Sequence, residues 1–152
     1  MKPIHFFPII FVTLMLLSLG ACSSGKEGDV RAATDSFAVA YFNWQFPKAV
    51  EYTTPQSHRW LSFAASQVSQ DDVDTLKAME HGAECEIEDI SLNHNDSEAS
   101  VIITVRNFIA MDTIGAAPHL TREAKFALSL VYADNKWKVD LDGLPRPVRH
   151  KR

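Results

Sequence analysis

At residue 84 the hydrophobic period of the chain changes from helical to two, and few folds accommodate that order of signals. Upstream, Ala33, Phe37, Tyr41 and Trp44 recur at helical spacing, one apolar stripe with Arg31, Asp35 and Asn43 turned away from it. Asp29 stands where an N-cap belongs, and the helix is expected to stop before Pro47, whose ring disfavours helix in the residue ahead of it. A short helical piece is expected over residues 48–52. Thr54 is then placed to cap a further helix with Pro55 at its first position, sending Trp60, Leu61, Ala64 and Val68 to the core. Ser69, with Asp72 three residues on, has the spacing of a capping box, and Val73, Leu76 and Met79 form the apolar side of the segment it opens. His81-Gly82 closes the helical half.

Beyond it, Cys85 and Ile87 alternate with Glu84, Glu86 and Glu88. Ile90 and Leu92 resume after a slip of one residue, which predicts a β-bulge at Glu88-Asp89. Asn93 to Asp96 reads as a turn, and Val101, Ile103 and Val105 continue on the return strand with Thr104 and Arg106 opposite. Polar Arg106-Asn107 ahead of Phe108 predicts a second shift of register. After a loop with Gly115 and Pro118 comes the longest alternation, Ala124, Phe126, Leu128, Leu130 and Tyr132. Asp134-Asn135 turns it into a last strand carrying Trp137, Val139 and Leu141 inward. Helices followed by a run of antiparallel strands define an α+β class, with the helices covering one face of the sheet. Two slips imply strong curvature, and a curved sheet wrapped on a long helix encloses a cone.

The first residues answer a different question, that of place. Lys2 is a short positive start, residues 6–17 are a twelve-residue apolar stretch, and small residues follow. A membrane-spanning helix needs about 20 apolar residues, which would recruit His5, Pro8 and Gly20 here. An export signal over residues 1–21 is the better reading. Leu19-Gly20-Ala21-Cys22 resembles the bacterial lipobox, a motif whose cysteine is alkylated by a diacylglycerol before the preceding bond is cut. That resemblance implies lipidation of Cys22, palmitate-type acyl chains among the products, and attachment to a cell-envelope membrane. Ser23 after the cysteine is similar to the pattern of chains sent to the outer membrane. Residues 22–28 then form a lipidated cysteine and a small polar tether, six residues of which reach about 14 Å. The alternative is an ordinary secretory signal that happens to end at a cysteine.

Charge and cysteine count limit the rest. From Cys22 to Gly143 ten Lys and Arg face nineteen Asp and Glu, a net charge of −9, and such an acidic body excludes nucleic acid as a partner. Residues 143–152 are a basic tail, with Arg146, Arg149, Lys151 and Arg152, able to touch anionic headgroups or simply be solvated. With Cys22 lipidated, Cys85 has no partner in the chain, so stability must come from packing.

The long first helix, the stretch "FPKAVEYTTPQS" and the closing "NKWKVDL" over residues 29–142 resemble the nuclear transport factor 2-like superfamily, also called cystatin-like. The resemblance implies helices packed on a strongly curved antiparallel sheet. Its members include isomerases, dehydratases, transport adaptors and small bacterial lipoproteins of unknown function, and this chain is most similar to the last. Its enzymes place an Asp or His inside the cone, whereas the inward strand positions here are apolar. The candidate pocket lining is Tyr41, Trp44, His58, Trp60, Phe126, Tyr132 and Trp137. No catalytic residue, cofactor or metal site is assigned, because His58, His81, His94 and His119 lack ligand spacing. Three readings remain. The first is a non-enzymatic domain binding a small apolar ligand or a protein. The second is an isomerase- or dehydratase-type enzyme working from Tyr41, His58 or Tyr132. The third is a structural subunit docking through the outer sheet face near Ile102, Ala127 and Val131, as a homodimer or otherwise.

Overall fold

The computed structural model describes residues 25–111 and 117–149, so the apolar stretch, Cys22 and Gly115 lie outside the described residues. Four α-helices are described, α1 (Lys26–Phe42), α2 (Phe46–Val50), α3 (His58–Ser66) and α4 (Gln70–Ala78), with a 3-10 turn at Pro55–Ser57. One antiparallel sheet follows, in the order β1 (Glu84–Leu92), β2 (Glu98–Ala110), β3 (His119–Ala133) and β4 (Lys136–Asp140). Each strand pairs with its neighbour in sequence, the simplest path for an antiparallel sheet. The α+β class expected from the change of period is the class observed.

The long helix lies along the inner face of the sheet and supplies Val30, Thr34, Phe37, Ala38, Ala40 and Phe42 to the core. It starts earlier than Asp29: Lys26, Glu27 and Gly28 are helical rather than tether, and Gly25 holds the N-cap position with no side-chain cap. Lys26 pairs with Asp96 on the β1–β2 turn at 3.3 Å, a contact open to solvent. Thr34 is fully buried, and its hydroxyl donates to the Val30 carbonyl at 2.8 Å, so the one polar group inside this face stays satisfied. Trp44 falls beyond the helix in a left-handed conformation, φ 58°, rather than on its stripe. Pro47 does not end a helix. It sits in the first turn of α2, where its missing N–H costs nothing.

Thr54 does not cap. Its hydroxyl donates to Asp140 Oδ1 at 2.6 Å and pairs with Ser57 Oγ at 2.7 Å, while Ser57 Oγ accepts from the Leu141 N–H at 2.8 Å. Together with the bond from the Thr54 N–H to the Val139 carbonyl, these contacts tie the helical half to the outer side of β4 and cover that sheet edge. The capping box at Ser69 and Asp72 is formed as its spacing predicted, although α4 buries none of its residues fully. A close approach explains Gly82: a Cβ there would stand 2.3 Å from Asn43 Oδ1. That oxygen accepts from the Ala83 N–H at 2.8 Å, and the Asn43 amide donates to the Val39 carbonyl at 2.9 Å, locking the end of α1 to the start of β1.

The bulge is where the alternation placed it, with the β1–β2 register shifting between Ile87 and Asp89. The second predicted shift is absent. Pairing between β2 and β3 keeps one register on both sides of Asn107, which bends the strand by a positive φ of 52° and not by an inserted residue. Asp134 and Asn135 both take positive φ, the geometry of a tight two-residue hairpin.

Candidate functional site

Inside the cone the sheet and the helices meet in one aromatic cluster. The Phe42 ring lies 4.7 Å from Phe126 and 5.5 Å from Phe108, and Phe108 lies 5.6 Å from Phe126. Tyr41 stacks on Phe37 at 5.4 Å and meets Phe46 edge-on at 5.7 Å. With the rings packed in these offset and edge-to-face contacts, the space left between Tyr41, Trp44 and Phe126 is only ≈ 30 Å³. That is room for one or two waters. Burial pushes the Tyr41 hydroxyl well above its ordinary range, so the phenol stays protonated.

Of the expected lining residues, the structure brings Tyr41, Trp44 and Phe126 together here. Trp60 lines an adjoining space of ≈ 160 Å³ with Phe63, Met111, Leu144 and Pro145. His58 is half-buried at the start of α3 and lines neither space. Tyr132 is a correction: it is 48% exposed, because β3 runs on past the helices and its ring lies 5.5 Å from Trp137, which takes the buried place. Trp137 is in the core but outside both spaces. Sequence reasoning missed Phe42, Phe46, Phe108 and Met111, since Phe42 and Phe46 flank the end of a helix where periodicity fails. It also missed Pro145 and Pro147, which stand in a segment read as tail.

The outer sheet face is built differently. Ser91, Ser100, Ser129 and Asp140 pair in succession across all four strands, a row of short side chains lining a shallow depression of ≈ 460 Å³. Ile102 and Ala127 pair beside this row, and Val131 stands on its other flank. Toward the far end the face becomes a charge ladder. Arg106 bonds Glu86 at 2.9 Å and Glu123 at 2.8 Å, and Lys125 bonds Glu88 at 2.6 Å. Hydrogen bonds from Lys125 and then Thr104 hold the Glu88 carboxyl below its usual value, while Glu86 and then Glu123 raise the Arg106 guanidinium, so both of these groups stay ionised at neutral pH.

Cys85 is half-buried on the inner side of β1, and burial, followed by the nearby charge of Asp35, pushes its thiol up to about 12. The thiolate is the reactive form, so alkylation by iodoacetamide at pH 8 is expected to be at least tenfold slower than for a free cysteine, reaching the ordinary rate only in denaturant. Equal rates in native and denatured protein, followed by mass spectrometry, would contradict this placement. Among the described residues no group of three or more His, Cys, Asp or Glu is placed to hold a metal ion.

No protein-family model matches the chain, and no curated protein matches it. Solved structures do. The TraE protein in complex with 2-(2-furyl)isonicotinic acid matches at 12% identity over 83% of this chain and 99% of that one, with a TM-score of 0.46. The intermembrane space region of chloroplast protein ARC6 matches at 9% identity over 82% and 95%, with a TM-score of 0.44. An Ntf2 like protein involved in plasmid conjugation matches at 13% identity over 84% of this chain and 51% of that one, with a TM-score of 0.37. What this chain's own geometry establishes is its class: α+β, with helices laid against one face of a four-stranded, bulged antiparallel sheet.

Proposed function

We propose that this chain is a lipid-anchored protein of the bacterial cell envelope whose folded domain is an interaction module, held at the membrane by acylated Cys22 and docking a protein partner through the outer sheet face. The observation that carries the docking half is the contrast between the two faces of the sheet. Inside, side chains leave ≈ 30 Å³, and the inward positions of the last three strands offer no carboxylate or imidazole to work as a base. Outside, three serines and an alanine leave the centre of the sheet low and exposed. A second layer packs face to face at about 10 Å from a sheet, a distance that short side chains permit. The charge ladder beside this area excludes partners with the wrong charge pattern rather than adding affinity.

A photo-crosslinking residue placed at Ser129 in the full chain, and another at exposed Gln67 as control, tests this reading. Adducts are expected at position 129 and not at 67, and Ala127→Arg in the same chain is expected to reduce them at least tenfold. An adduct of twice the chain mass identifies a second copy as the partner, and a different mass identifies another protein. Adducts that are equal at both positions, or unaffected by Ala127→Arg, sink the outer face as the docking surface.

A further inference from the structure

We infer that the break in the β3–β4 ladder at Ala127 is a binding site for a short free peptide, read by its main chain and its two charged ends. Which backbone groups of β3 face β4 follows from two hydrogen bonds. The Tyr132 N–H donates to the Ser97 carbonyl at 2.8 Å, on the β2 side, whereas the Lys125 carbonyl accepts from the Val148 N–H at 2.8 Å on the other. Odd-numbered residues of β3 therefore turn both backbone groups toward the β4 edge. Ser129 meets Asp140 there, and β4 ends at that pair. Carried on, the same register would set residue 143 against Phe126, but Pro147 stands there instead, so the chain loops out four extra residues on the way. The loop leaves one residue of β3 facing an open edge: the N–H and C=O of exposed Ala127 find no backbone partner among the described residues.

Between this edge and the loop lies a cleft of ≈ 370 Å³, ample for a dipeptide, and its walls are polar. Asp142 and Arg146 both line it, yet among the described residues neither takes part in an ion pair. Asp140 spends one carboxylate oxygen, Oδ1, on Thr54 and Gln56, and the Ser129 hydroxyl beside it has no partner among the described residues. A simple cation or anion would serve one of these walls and leave the opposite charge beside it. A peptide serves all of them. One of its residues sits where residue 142 would have continued the ladder, donating its N–H to the Ala127 C=O and accepting from the Ala127 N–H, the strand-addition mode of peptide recognition. Its carboxylate then goes to Arg146 and its ammonium to Asp142. The cleft opens beside the outer-face docking surface and shares Ser129 and Asp140 with it, but the inference does not rest on that docking.

Glycylglycine, which has the main chain and both charged ends and no side chain, is the probe. The full chain, labelled with ¹⁵N-alanine and held in detergent micelles, reports through the Ala127 amide resonance, assigned by its loss in Ala127→Ser. Ala133, whose N–H also faces β4 but which is paired with Lys136, is the internal control. With rising glycylglycine the Ala127 resonance is expected to shift and saturate while that of Ala133 stays in place. Arg146→Gln and Asp142→Asn should each raise the half-saturating concentration about tenfold, with the other alanine resonances unmoved as evidence of an intact fold. The same dipeptide acetylated and amidated at its ends should not saturate the shift over the same range. An Ala127 shift that is absent, linear in concentration, matched by Ala133, or equal for the capped dipeptide or for both variants overturns the proposal. None of these results alters the crosslinks expected at position 129, and loss of those crosslinks leaves the peptide site standing.

Discussion

Replacing Phe126 with alanine is expected to cost the domain about 3–5 kcal/mol, seen in urea unfolding followed by circular dichroism, and to lower Tm by on the order of 10–15 °C. Phe126 is 2% exposed and is the point where three parts of the chain meet: its ring touches Phe42 of α1 and Phe108 of β2, and its backbone bridges to Pro147. The transfer term for the lost ring is only part of the expected loss. The neighbours are fixed by a register that does not slip between β2 and β3, so they cannot collapse into the hole, and the cavity term is expected in nearly full. Phe126→Leu, which keeps most of the volume, should recover more than half of the loss. A cost below about 1 kcal/mol for the alanine variant would mean that the interior is loosely packed, and the contrast between a filled inner face and an open outer face would fail.

Cys22→Ser is expected to change how the chain is held in its membrane. The variant should take up no radiolabelled palmitate and, because the cut follows alkylation, should keep residues 1–21, a difference in mass seen on a gel. The size of the effect follows from the acyl chains. Each buried CH₂ contributes about 0.8 kcal/mol, one chain anchors only marginally, and two or three hold essentially all of the protein. A wild-type chain that carries no palmitate, or that leaves the pellet in a high-salt wash, would remove lipidation from the account. Salt matters here because it separates acyl anchoring from any attraction of the tail cations, which is screened beyond about 10 Å at 0.1 M.

Much of the sheet was legible because a two-residue period is a local signal. The bulge could be placed to the pair Glu88-Asp89, since one extra position moves every later side chain to the other face. The capping box at Ser69 was legible for a similar reason, as both partners lie within one turn. Contacts between distant segments were not. Thr54 carries a capping signal, yet its hydroxyl serves Asp140, 86 residues away, and propensity has no access to such a choice. Tyr132 fits the inward alternation and is exposed, because alternation says which face a residue is on and not how far the covering helices extend. The same limit hid the end of the chain: two prolines argue against regular structure, yet Pro147 bridges to Phe126 on the edge of β3. Asn107 left a trace of another kind, a polar pair where an apolar residue was due, which signalled a bend but not its cause.

The long helix also works as a ruler. Its seventeen residues rise about 25 Å, with Lys26 at one end and, at the other, the Tyr41 and Phe42 side of the cone mouth. Only four peptide steps separate Cys22 from Lys26, about 14 Å of chain at full stretch. If the sulfur is embedded in lipid, the first turn of the helix stays within that distance of the membrane surface. The β1–β2 turn, which Lys26 reaches through Asp96, is then kept close to the headgroups however the domain tilts.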